Sequence, residues 1–199
     1  MSASDHPRKI DPDQILYVER QTLHLSDFPC PPGWILDIGG GGEGIIGLLK
    51  GDRVVSIDPL RRELEGVSND ALKVVMDARQ LGFLDNSFTT AAAFCCLMYI
   101  EAADHPVVFR EIQRVLRPGG EFWLWDVALP DPATVGRKWF MLPVTVVLPG
   151  GREVRTGYGV PMKPQSIEYF RELAAVAGLE VVSSHQEQDL LEMRFTKRR

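Results

Sequence analysis

The chain is poor in the residues that build covalent or strongly electrostatic frameworks. Cysteine occurs three times, as Cys30, Cys95 and Cys96. An odd count with two adjacent members excludes a disulfide framework and does not suit a zinc site, so no metal is expected and a reducing, cytoplasmic setting is. Positive charge is in deficit, with a formal net charge of −5, which argues against nucleic acid as the main partner. The Lys197-Arg198-Arg199 cluster reads as a solvated tail. No apolar run is long enough to span a membrane; those around 91–100 and 140–148 are the longest, and Pro143 interrupts the second. Residues 1–20 lack the apolar stretch of a signal peptide. A length of 199 residues suits one α/β domain with additions and is cramped for two.

What the chain does have is glycine in one place. Trp34-Ile35-Leu36-Asp37-Ile38 leads into Gly39-Gly40-Gly41-Gly42-Glu43-Gly44, followed by Ile45-Ile46-Gly47-Leu48-Leu49. Successive glycines between apolar runs allow a tight strand-to-helix turn whose bare backbone approaches a ligand closely. Val54-Val55-Ser56-Ile57 reads as a buried parallel strand ending in Asp58. In a βαβ unit the glycine turn and Asp58 flank one crevice, and a carboxylate there suits a ribose diol. Gly39, Gly41 and Gly44 fit the dinucleotide fingerprint, with Asp58 19 residues beyond Gly39. Asp37, however, would put negative charge where a pyrophosphate must lie; it favours a ligand with an amino group.

Along the chain, Ile15, Val18 and Leu25 space an amphipathic helix over 13–25, and Pro29 to Gly33 form a stiff connector. Leu72–Met76, ending at Asp77-Ala78, and Phe88–Cys95 read as the third and fourth strands. Asp104-His105-Pro106 opens a helix in which His105 reads as a solvated first-turn residue; Arg117-Pro118-Gly119-Gly120 stops it, and Glu121–Val127 is the fifth strand. Residues 140–148 and 153–160 read as a hairpin. A helix from Lys163 to Ala177 precedes two terminal strands. The fold class expected is α/β: a doubly wound, mostly parallel seven-stranded sheet with an antiparallel C-terminal strand pair and a hairpin inserted after the fifth strand. One domain over 1–199 is expected, divided into an N-terminal helix and connector (1–33), a cofactor-binding core (34–128), the hairpin (129–162) and the final helix and strands (163–199).

Five motifs in order then carry a family likeness: Ile35–Gly41; Val55-Ser56-Ile57-Asp58; Met76-Asp77-Ala78-Arg79-Gln80-Leu81; Leu84-Asp85-Asn86-Ser87-Phe88; and Arg114-Val115-Leu116-Arg117-Pro118-Gly119-Gly120. The stretch from Ile35 to Val127 resembles the class I S-adenosylmethionine-dependent methyltransferases, especially the small-molecule branch that includes the quinone-biosynthesis enzymes. The resemblance implies S-adenosylmethionine as cofactor and S-adenosylhomocysteine as product. It implies that Gly39 and Gly41, with Gly40 between them, pass under the methionine part, and that Asp37 favours its ammonium. Asp58 would take the ribose hydroxyls, Ile57 or Pro59 would pack on the adenine, and Asp77 would accept from the adenine amino group with the Ala78 N–H beside it. The carbonyl of Phe94 or Cys95 would accept from the ammonium. The family's third glycine would fall at position 43, where this chain has Glu43.

The implied reaction is methyl transfer to a small-molecule acceptor by in-line displacement, which asks the protein mainly to align two reactants and exclude water. Tyr99, His105, Asp126 and His185 are candidates for a general base, and none is singled out as catalytic. Acceptor selection is expected in 129–162, through residues such as Trp139 and Met141, the same apolar stretch also allowing a homodimer interface. Two other functions stay open: a nicotinamide-dependent oxidoreductase, and an S-adenosylmethionine-binding regulator without turnover.

Overall fold

A computed structural model describes residues 10–199. The chain opens with two short strands, β1 (Ile15–Tyr17) and β2 (Gln21–His24), and then enters β3 (Ile35–Ile38), α1 (Ile45–Lys50), β4 (Val54–Asp58), α2 (Arg61–Glu65), β5 (Leu72–Val75) and β6 (Phe88–Phe94). After α3 (His105–Val115) and β7 (Leu116–Val127) come α4 (Pro132–Val135), the hairpin β8 (Trp139–Val147) and β9 (Glu153–Pro161), α5 (Ile167–Ala177), and finally β10 (Leu179–Glu187) and β11 (Leu190–Lys197).

Seven strands form the main sheet in the order β10-β11-β7-β6-β3-β4-β5. The pairs from β7 through β5 are parallel, and β11 runs antiparallel to both β7 and β10. The sheet separates two apolar clusters, and the period-2 alternation of side chains along β7 shows how. Trp123, Trp125 and Val127 face one cluster, while Phe122 and Leu124 face the other. Helices α3 and α5 cover the second face through Phe109, Ile112, Phe170 and Ala174, and α1 lies on the first through Ile45 and Ile46. The doubly wound sheet is as expected.

The N-terminal segment is not. Residues 13–25 form no amphipathic helix; β1 and β2 pair in parallel with β8. Since β9 occupies the whole other edge of β8, β1 and β2 are one interrupted strand in a small sheet three strands wide. The interruption has a cause in Pro143. The Val18 and Leu25 N–H groups reach the carbonyls of Met141 and Val147, so odd-numbered residues of β8 turn toward this edge. Pro143 belongs to that set and has no N–H to donate. The ladder skips there.

This small sheet packs on the first face of the large one. Phe140, Leu142, Val144 and Val146 are fully buried in the cluster that holds Phe28 and Trp125. Trp123 and Trp125 stack at 5.7 Å, with Phe28 tilted against both. The four β8 residues of the apolar stretch are thus used within the chain, while Trp139 and Met141 are half-buried. Among the described residues, no helix is long and apolar enough to cross a membrane.

Candidate active site

The C-terminal ends of β3, β4, β5 and β6 open on one cavity of about 680 Å³. Parallel neighbours end on the same edge, so three carboxylates spread along the sequence, Asp37, Asp58 and Asp77, arrive on one rim. The glycine turn 39–44, Pro59, Ala78, Phe94 and Cys95 complete it, and every residue the sequence singled out for a cofactor lines this one cavity.

Asp37 is buried, and its Oδ2 accepts from the Ser56 hydroxyl at 2.8 Å. Burial lifts its carboxyl to about 7; the Ser56 hydrogen bond opposes the shift and the nearby Asp58 adds to it. A carboxylate with one protein donor in a desolvated place is ready to ionise against an incoming cation. Asp58 is only partly buried. Its Oδ1 accepts from the Leu60 N–H at 2.8 Å, closing a turn before α2, which leaves Oδ2 toward Gly41. A β-carbon on Gly41 would lie 2.8 Å from that oxygen and 2.6 Å from the Glu63 Cβ. The turn follows the carboxylates closely because it carries no side chains there.

At the end of β6, Cys95 takes a left-handed φ of 48°, uncommon for a residue with a side chain. Its N–H bonds the Trp125 carbonyl at 2.7 Å, tying the kink to the stacked tryptophans. Burial pushes its thiol well above the ordinary range, so it is a neutral wall and no nucleophile. The Cys96 thiol donates to the Ile38 carbonyl at 3.0 Å.

Asp77 departs from expectation in its present partners. Arg79, two residues on, grips both its oxygens, with Nη2 to Oδ2 at 2.6 Å and Nε to Oδ1 at 3.0 Å, and reaches Asp104 at 2.8 Å. These bonds hold the Asp77 carboxyl below its usual range. An adenine amino group would have to share that carboxylate with the guanidinium.

The candidate bases separate clearly. His105 is a correction: it is buried, its Nε2 facing the Leu97 carbonyl at 2.9 Å and its Nδ1 facing the Tyr169 hydroxyl at 2.7 Å. A carbonyl accepts only, so Nε2 carries the proton and Nδ1 accepts from Tyr169. Burial lowers its pKa, and the ring is a neutral strut between α3 and α5. Asp126 is buried with its oxygens taken by the Leu97 and Val127 N–H groups and the Gln165 amide. It anchors the loop after β6 from below, and burial lifts it to about 6. His185 is exposed on β10. Of the four, Tyr99 alone lines the cavity.

From the segment 129–162 expected to select the acceptor, the cavity is lined by Thr156, Gly157 and Tyr158 on β9, which the sequence reading did not name individually. Trp139 and Met141, on β8, do not line it. Met141 folds instead over Gly159. The signal lay in Thr-Gly-Tyr-Gly-Val, an alternation of side chains with bare backbone that lets one strand face crowd against a neighbour. The Thr156 hydroxyl donates to the Glu43 carboxylate, so the residue in place of the family's third glycine links the turn to β9. Gly44 supplies the left-handed turn into α1 instead, with φ 60°. Among the described residues, no group of three or more His, Cys, Asp or Glu is arranged to hold a metal ion.

Residues 36–124 match the family described as Methyltransferase domain. The matched segment holds the glycine turn and all three rim carboxylates, so the cofactor-binding core is similar to a methyltransferase domain. Over 108 residues it is 32% identical to a sterol 4-C-methyltransferase of Caenorhabditis elegans, a match covering 54% of this chain and 32% of that protein. A sterol 24-C-methyltransferase of Aspergillus fumigatus is 31% identical over 109 residues, 49% of this chain and 28% of its own length. The chain thus spans about a third of the curated relatives it matches. Among solved structures, an S-adenosylmethionine-dependent methyltransferase from Methanosarcina mazei superposes with a TM-score of 0.61 at 19% identity, covering 82% of this chain and 92% of that one. The methyltransferase fold is shared.

Proposed function

We propose that the chain transfers a methyl group from S-adenosylmethionine to a small-molecule acceptor held between the glycine turn and β9. The observation that carries this reading is the meeting, in one cavity, of Asp37, Asp58 and a glycine turn with no room for a side chain at Gly39, Gly40 or Gly41. The donor set fits the cofactor: a buried carboxyl for an ammonium, a half-exposed one for a diol, and apolar Ile57, Pro59 and Leu60 beside it for a base. When bound, the cofactor supplies a methyl group activated by its sulfonium. The chain's own part is to hold and to shield. Asp37 pairs with the cation, Asp58 fixes the ribose, the kinked end of β6 presents the Phe94 and Cys95 carbonyls, and β9 keeps water from the reacting atoms. A general base is needed only where the acceptor must lose a proton.

The sterol methyltransferases among the relatives support an acceptor with an extensive apolar surface, and Phe94, Tyr99, Ile100 and Tyr158 offer a matching wall. S-adenosylmethionine and S-adenosylhomocysteine are expected to raise the melting temperature of the chain, since each binds only the native state, while NAD does not. A shift with NAD alone would support an oxidoreductase. Incubation with a labelled methyl donor and a metabolite extract separates turnover from simple binding.

A further inference from the structure

The end of the cavity beneath β9 has a chemistry that the cofactor does not use. Beyond Asp37, Asp58 and Asp77, the carboxylates of Glu43, Glu63, Glu101 and Asp104 line the cavity, and Arg79 is the single basic side chain there among the described residues. Its guanidinium is already held by Asp77 and Asp104. An anionic acceptor would bring its charge into a carboxylate-lined, partly desolvated space in which the described residues offer no free cation, a cost that low local dielectric enlarges. A neutral or cationic acceptor meets no such barrier.

The same end holds an unused hydrogen-bonding group. Tyr158 is 6% exposed, and its hydroxyl, shielded from solvent, has no hydrogen-bond partner among the described residues. It stands with Phe94, Cys95 and Tyr99 on the lining. Burial, the neighbouring Cys95 and the Glu43 carboxylate all push its ionisation up, so it stays a neutral phenol. Glu43 is itself occupied by Thr156. Buried polar groups are nearly always paired, and on the chain this O–H has only the Cys95 thiol beside it.

We propose that the methyl acceptor is a non-anionic molecule whose polar atom is held by the Tyr158 hydroxyl. This rests on the methyltransferase reading above. The test uses the full chain, S-adenosylmethionine with a deuterated methyl group, and an unfractionated metabolite extract, the product being found by its mass shift. The product is expected to pass an anion exchanger at neutral pH; retention would overturn the proposal. Calorimetric titration of the same preparation with S-adenosylhomocysteine separates the two readings. A chain that binds it yet forms no product overturns turnover itself, and the acceptor assignment with it. For Tyr158→Phe, which removes one oxygen, S-adenosylhomocysteine affinity should stay within about twofold. The KM for the acceptor, purified by following its label, should rise about fivefold or more, with kcat nearly unchanged. An unchanged KM, or a loss of S-adenosylhomocysteine affinity instead, would remove Tyr158 from acceptor binding.

Discussion

Gly40 stands against Asp37 with no space between them: a β-carbon on the glycine would lie 2.2 Å from the Asp37 Oδ2 and 2.6 Å from the Ser56 Cβ. The pair can coexist only because one of them has no side chain. Gly40→Ala is expected to force the carboxyl off Ser56 or bend the turn, costing roughly 1–3 kcal/mol as overpacked sites do. Calorimetry should show a melting temperature lower by about 2–10 °C. An unchanged melting temperature would mean that the turn has slack the contact does not suggest.

Asp58 divides its two oxygens between a turn and the cavity. Asp58→Ala is expected to weaken S-adenosylhomocysteine binding by about 1.5–3 kcal/mol, roughly ten- to hundredfold. Asp58→Asn should lose less, because an acceptor oxygen remains for either the Leu60 N–H or the ligand. Titration giving full affinity for the alanine variant would leave Asp58 with the turn alone.

The raised Asp37 carboxyl makes cofactor binding depend on pH. An unfolded aspartate loses its proton near 3.8, whereas the folded one keeps it to about 7. The stabilisation is complete below the unfolded value and fades as pH rises through the folded one. A cation reverses the preference, since it binds the ionised form. Affinity for S-adenosylhomocysteine is therefore expected to rise from pH 6 to pH 8 and to fall by up to about tenfold per unit below 7. Asp37→Asn should flatten that profile. A steep profile surviving in the variant would place the titrating group elsewhere.

Tyr169 and His105 join α5 to α3 through one hydrogen bond of 2.7 Å. Tyr169→Phe should cost about 0.5–1.5 kcal/mol of folding stability, read from urea unfolding. S-adenosylhomocysteine affinity should be unaffected, because neither residue lines the cavity. A loss of affinity would give this strut a part in shaping the site.

The parallel core was legible because its signals are local. Buried strands read as apolar runs, the glycine turn as glycines, and each rim carboxylate as the last polar residue of a strand. The N-terminal strands were not, because Ile15, Val18 and Leu25 fit a helical spacing and their actual partner, β8, lies more than a hundred residues on. Strand preference depends on such neighbours. His105 misled for a similar reason: beside Pro106 it has the look of an exposed first turn, and its ring is held between the Leu97 carbonyl and Tyr169, the latter from a helix far along the chain. Arg79, by contrast, stood two residues from Asp77 in plain sight, and a turn was enough to bring them together.

The pairing of β2 with β8 also bears on how the chain acquires its shape. Parallel partners cannot be joined by a tight turn, and here the large sheet from β3 through β7 lies in sequence between them. Contacts so distant along the chain form slowly. A refolding molecule can stack Trp123 on Trp125 and bring its three carboxylates to the rim while β9 still has no settled partner sheet beneath it. Competence to bind ligand and competence to enclose it are thus separate events in time. Tryptophan fluorescence should recover before the slow dissociation of S-adenosylhomocysteine does.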